Sequence, residues 1–186
     1  AGSARLTREF IEHGVTAIGI DSRRNRHARH GPCLTLDLTE PEERDGLWTY
    51  LYDNNVQYSH LAPPCGTASR AREKPIPHWR CKGPPPRPLR TEAEPWGLMD
   101  RSQHEHMKVV RANLLYILSF HVIIWATLTG VKWSVENPAN SLLWFTKLFR
   151  FIARLPPCVE VLYDSCMFGG PRPKKQKLLS NIPSLA

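Results

Sequence analysis

The sequence predicts an α/β fold: a three-layer, doubly wound, mainly parallel sheet in a single domain over residues 1–186. Three observations predict it. Short apolar runs rich in β-branched residues alternate with segments of helical period, which is the pattern of strands joined by crossover helices. Asp21, Asp37, Cys65 and Glu136 all fall where such a run stops, and open α/β sheets gather function at the carboxyl ends of their strands. With 41% hydrophobic and 23% charged residues, the chain has the make-up of a globular domain and excludes a disordered or fibrous one. A chain of this length buries roughly 70% of its unfolded surface.

The elements follow in order. Leu6, Phe10 and Ile11 recur at helical spacing within residues 5–13, and Gly14 is placed to stop that helix. Residues 15–20 form a short apolar run ending at Asp21, and residues 34–38 form a second. Pro41 suits the first position of a helix over 42–51, because its fixed φ costs nothing there. Residues 58–62 run as a strand into Pro63-Pro64-Cys65. After an interruption at about 69–100, a helix over about 105–129 stops at Gly130, and residues 132–135 read as a strand. A helix at 141–152, a strand at 159–163 and a last strand at 177–180 complete the pattern. Trp125, Trp133 and Trp144 lie on or beside apolar elements and read as core.

Lys and Arg total 25 against 17 Asp and Glu, a formal charge of +8 that suits a polyanionic partner. Five cysteines without a CxxC pair give no disulfide framework and read as free thiols of a reducing, intracellular compartment. No secretory signal pattern opens the chain. Residues 114–128 contain Ser119, His121 and Thr127 and fall short of the ~20 apolar residues of a membrane span, so a core helix is expected there. The start at Ala1-Gly2-Ser3, without Met, reads as a fragment or processed chain that other domains accompany.

The interruption holds Pro75, Pro77, Pro84, Pro85, Pro86, Pro88 and Pro95, which exclude regular structure from most of it. It also carries Arg70, Arg72, Lys74, Arg80, Lys82, Arg87 and Arg90. It reads either as a solvated linker or as a loop laid along a phosphate backbone, and its place directly after Cys65 favours the second.

Single residues are ambiguous. Gly2-Ser3 with Asp21 and its neighbour Ser22 suits a ribose-binding nucleotide site, and equally a turn followed by a helix cap. Asp37, with Leu38, meets the adenine end of the same ligand or is a solvated loop carboxylate. Two prolines stiffen the backbone before Cys65, as a positioned nucleophile needs, whereas a typical free cysteine is buried and inert. Glu136 is a general acid or a helix cap. His78, Cys81, His104 and His106 match no regular zinc spacing, and no metal is expected.

In their order, Ala1-Gly2-Ser3, Asp21, Asp37-Leu38, Ala62-Pro63-Pro64-Cys65 and Glu136-Asn137 resemble the motifs of the cytosine-C5 DNA methyltransferase family. Phe168-Gly169-Gly170-Pro171-Arg172-Pro173-Lys174-Lys175-Gln176 is similar to its basic motif. The resemblance spans nearly the whole chain, and its most specific part is the Pro-Cys and Glu-Asn pair. Gly66 stands where the family has Gln, Pro138 where it has Val, and Arg172, Lys174 and Gln176 at its Gln, Arg and Arg.

The resemblance implies a class I methyltransferase fold whose first strand is missing upstream of Ala1, and S-adenosylmethionine as cofactor. Gly2, Ser3, Asp21, Ser22, Asp37, Leu38 and Pro64 would line the cofactor. It implies methyl transfer to C5 of cytosine, in DNA rather than RNA. Cys65 would be the nucleophile on C6, Glu136 a bonding partner of N3, and Arg172 and Lys174 holders of the base carbonyl or a phosphate. Lys175 would join the insertion's cations on nucleic acid, and a duplex target would be flipped out of its stack. The alternatives are a catalytically degenerate module that binds nucleic acid or a partner without turnover, and the same chemistry on RNA.

Overall fold

The structure is a computed structural model and describes residues 4–25, 27–74, 86–168 and 173–186. The fold is mixed α/β, and the chain divides into two compact units, Ala1–Val56 and Gln57–Ala186.

The first unit begins with helix α1, Arg5–Glu12. It closes with a Schellman motif: Gly14 takes φ 78°, its amide donates to the Ile11 carbonyl, and the Val15 amide donates to that of Phe10. That closure uses the backbone of residue 15, so strand β1 is confined to Gly19–Asp21 instead of starting at Val15. Leu6 and Ile11, two of the three apolar residues at helical spacing, are exposed, while Thr7 is buried. Strand β2, Cys33–Thr35, pairs parallel to β1 with Gly19 opposite Cys33 and Asp21 opposite Thr35. It ends before Asp37 because Asp37 is taken into a turn, its carbonyl accepting from the Glu40 amide at 2.8 Å. Helix α2, Pro41–Asp53, starts on the expected proline, with Glu42 and Glu43 facing the positive end of the helix dipole. Leu47 and Leu51, four apart, are its buried residues.

The second unit is built on strands β3 (Tyr58–Leu61), β4 (Lys132–Pro138), β5 (Val159–Asp164) and β6 (Lys175–Ser180). They lie in the order β3-β4-β6-β5. β3 and β4 are parallel, joined through helix α3, Gln103–Thr129. β6 runs antiparallel to both β4 and β5, so the expectation of a mainly parallel sheet is corrected here to a mixed one. The reason is reach: the chain between Asp164 and Lys175 is too short for the crossover that a parallel return needs, so β5 and β6 form a hairpin.

α3 opens on a capping box, Ser102 Oγ accepting from the Glu105 amide while Glu105 Oε2 accepts from that of Ser102, and Gly130 at φ 77° stops it. By length and composition α3 could cross a membrane, and in this fold its Ala112, Tyr116, Ile123 and Ala126 join the core. They meet Trp133, Val135 and Leu179 of the sheet and Phe149 and Ile152 of helix α4, Lys147–Ile152. Trp125 and Trp144 pack against that core. The single helix expected at 141–152 is split, because Ser141 and Thr146 each cap a new turn. Ser141 accepts from the Leu143 amide and Thr146 from that of Phe149.

Side chains alternate across β4, so Trp133 and Val135 face the helices while Ser134 and Glu136 share the other face. Glu136 therefore sits on the sheet face away from α3.

Candidate active site

Cys65 lies on the loop that leaves the carboxyl end of β3, and two long-range hydrogen bonds fix that loop by its carbonyl oxygens. Asn137 of β4 donates its Nδ2 to the Pro63 carbonyl at 2.7 Å, and Tyr116 of α3 donates its hydroxyl to that of Pro64 at 2.8 Å. Burial keeps the Tyr116 phenol above its ordinary pKa, so it stays a donor. Downstream, the Cys65 carbonyl accepts from the amides of Ala68 and Ser69 at 3.0 and 2.8 Å. The half-buried thiol is thus carried on a backbone restrained from both sides.

The turn after Cys65 is anchored through Arg90. Its guanidinium donates to Thr67 Oγ1 at 2.9 and 3.2 Å, to the Pro95 carbonyl at 2.7 Å and to Asn113 Oδ1 at 2.8 Å. It also lies over the Tyr116 ring at 5.1 Å. Arg90 is fully buried, and that burial lowers its pKa below the ordinary guanidinium value. The expected phosphate contact is corrected for this residue: its donors are spent on the protein and no face of it meets solvent.

Glu136 is the hub of a polar set on its sheet face. Its Oε1 accepts from Gln176 Nε2 at 2.8 Å, and its Oε2 lies 3.8 Å from His60 Nε2. The Tyr163 hydroxyl also bonds to it, and burial first, then the Glu136 carboxylate, raises the Tyr163 pKa. His60 Nδ1 meets Ser134 Oγ at 2.8 Å, and Ser134 Oγ meets the Tyr58 hydroxyl at 2.6 Å. Burial lowers the His60 pKa, against the opposing pull of Glu136. Pairing of β3 with β4 brings His60 beside Ser134 and Leu61 beside Val135, so the Cys65 loop and Glu136 leave the sheet at the same end.

The sequence reading missed this set apart from Glu136 and Gln176. Its signal was present in the period-2 placement of Tyr58 and His60 on β3 and of Ser134 and Glu136 on β4. Two polar residues on one face of each of two neighbouring strands imply that the face is wired across the ladder.

The basic candidates separate. Lys74, Lys174 and Lys175 are exposed, whereas Arg87 is held by Asp100 and Glu105 at 2.9 and 3.0 Å. Arg70 pairs with Glu73 and Glu92, and Arg72 Nε donates to the Arg87 carbonyl at 2.8 Å. Gly2, Ser3, Arg80, Lys82 and Arg172 lie outside the described residues, as do His78 and Cys81. Among the described residues no group of His, Cys, Asp or Glu is placed to hold a metal ion.

In the first unit, Asp21 ends β1 with Oδ1 accepting from the Ser22 amide at 2.8 Å and Oδ2 from Asn25 Nδ2 at 2.9 Å. Asp37 Oδ1 accepts from the Thr39 amide and hydroxyl at 3.2 and 2.7 Å, and its Oδ2 lies 3.6 Å from Arg24 Nε. Leu38 beside it is half-buried. Comparison with protein-family models, with curated proteins and with solved structures finds no match for this chain.

Proposed function

We propose that the chain is a methyltransferase-like domain of the doubly wound class that uses S-adenosylmethionine to methylate C5 of cytosine in DNA. Cys65 serves as the nucleophile and Glu136 as the group that holds N3. The observation that supports this most is the Asn137–Pro63 bond: a residue next to Glu136 holds the loop that carries Cys65, which ties thiol and carboxyl to one strand end. A nucleophile and its acid need that common reference frame.

Cytosine C5 is a weak nucleophile. Addition of the Cys65 thiolate to C6 forms a sulfur–carbon bond and moves the C5–C6 π electrons onto C5, and Glu136 in its protonated form would donate a hydrogen bond to N3 and stabilise the charge that develops in the ring. Once C5 has used that electron pair in a bond to the methyl group, loss of the C5 proton to water would re-form the C5–C6 double bond and expel the thiolate from C6. When bound, S-adenosylmethionine supplies the electrophilic methyl group. Asp21 fits its ribose, being a half-buried carboxylate at the end of a parallel strand and fixed in direction by Ser22 and Asn25. Lys174 and Lys175 supply exposed cations at the start of β6 for the nucleic acid.

An oligonucleotide carrying 5-fluorocytosine in place of cytosine, mixed with chain and cofactor, is expected to form a covalent adduct that survives denaturing gels. Cys65→Ser abolishes it. An adduct that persists in Cys65→Ser, or none with the unaltered chain, overturns the proposal, and an RNA oligonucleotide run alongside separates the two substrate classes.

One observation favours a second reading, a module that binds nucleic acid without turnover. Asp37, expected against adenine, has its carboxylate engaged by Thr39 and faced by Arg24. That reading predicts duplex binding with no adduct.

A further inference from the structure

We propose that the loop between β1 and β2 is a nucleic-acid backbone contact, with Arg23 and Arg29 as its phosphate-binding side chains. The loop reads Ser22-Arg23-Arg24-Asn25, then His27-Ala28-Arg29-His30 after one further arginine, four arginines and two histidines within residues 23–30. Arg23, Arg24, His27, Arg29 and His30 are all exposed.

The loop is built. Asn25 donates its side-chain amide to Asp21, its backbone amide donates to the Ser22 carbonyl at 3.2 Å, and its Oδ1 accepts from the His27 amide at 3.0 Å. These bonds tie the cations to the end of β1 and reduce the ordering cost of a contact. Arg24 faces Asp37, so its charge is matched. Arg23 has no acidic partner among the described residues, and Arg29 makes only a 3.5 Å contact to the Cys33 carbonyl, which orients it and leaves its charge unneutralised.

The contrast with the Pro-rich insertion carries the inference. Among the described cations there, Arg90 is buried, Arg87 is shared by two carboxylates and Arg70 by two more, Arg72 is turned to the Arg87 carbonyl, and Lys74 alone is left exposed without a partner. The loop matches Arg24 with Asp37 and leaves Arg23 and Arg29 exposed without a carboxylate partner among the described residues, where a polyanion meets them. The chemistry selects nucleic acid over an anionic membrane: residues 22–30 contain no Leu, Ile, Phe, Trp or Met, and a membrane-surface segment inserts such side chains beside its cations.

The test is fluorescence anisotropy of a labelled DNA duplex with the full chain over a salt series. The paired variant Arg23→Gln/Arg29→Gln is expected to weaken binding and to flatten the slope of log affinity against log salt by roughly two, since each phosphate contact contributes ~0.9. Arg23→Lys/Arg29→Lys keeps the charge and is expected to keep the slope, which separates lost phosphate contacts from lost folding. An unchanged slope in the Gln pair, or no duplex binding by the unaltered chain, overturns the proposal. So does a Gln pair that releases phosphatidylserine vesicles while holding the duplex as before. The inference does not rest on methyl transfer: repeating the series in a Cys65→Ser background leaves the expected change in slope intact, so failure to form the adduct and failure of this contact are read independently.

Discussion

Asn137 Nδ2 and the carbonyl oxygen of Pro63 stand 2.7 Å apart, a hydrogen bond between the end of β4 and the loop that follows β3. The donor side chain is buried and the acceptor belongs to a buried proline, so water cannot replace either partner.

Asn137→Ala should destabilise the chain by about 1–3 kcal/mol, the cost of leaving the Pro63 carbonyl buried and unpaired. Asn137→Asp should cost more, because a carboxylate oxygen then faces a carbonyl oxygen. Urea unfolding followed by tryptophan fluorescence measures both. A loss of a few tenths in Asn137→Ala would mean that the loop does not depend on this bond.

Arg90 distinguishes a structural cation from a ligand-binding one. Arg90→Lys keeps the charge and loses the planar fork that reaches Thr67, Pro95 and Asn113 together, so a loss of about 2–4 kcal/mol is expected. The salt slope of duplex binding should stay as it is. A stable Arg90→Lys with a flattened slope would return Arg90 to the nucleic-acid face.

Glu105 sets an acid limit on the start of α3. The Arg87 guanidinium, together with the Ser102 amide, holds its carboxyl down at about 2 against an ordinary value of 4.5. A carboxyl depressed by folding contributes stability that is fully present above the ordinary value and is lost as pH falls toward the depressed one. The urea midpoint should therefore drop between about pH 4.5 and 2, and Glu105→Gln should make that part of the profile shallower. An identical profile in the variant would assign the acid sensitivity to other carboxylates.

The sequence was legible where local chemistry decides. Pro41 and Gly130 punctuate the helices as expected, and Cys65 and Glu136 stand at the end of one parallel strand pair. What escaped it was set by partners far along the chain. Arg90 reads from the sequence as one more basic loop residue, and only its meeting with Thr67 and Asn113 removes it from the surface. The direction of β6 depends on the reach of the preceding connection and leaves no mark in residue type. His60 and Ser134 are separated by the whole length of α3, so their contact needs the register of the sheet before it can be read.

Both anchors of the Cys65 loop grip main-chain oxygens, which every residue type possesses. Drift at positions 63 and 64 would leave the same acceptors in place, so long as the backbone path survives. Constraint falls instead on the distant donors, a side-chain amide on a strand and a phenol on a helix. In a library of variants, the segment beside the thiol should therefore tolerate more side-chain chemistries than residues 116 and 137, and the inheritance of this loop's shape is written mostly outside the loop.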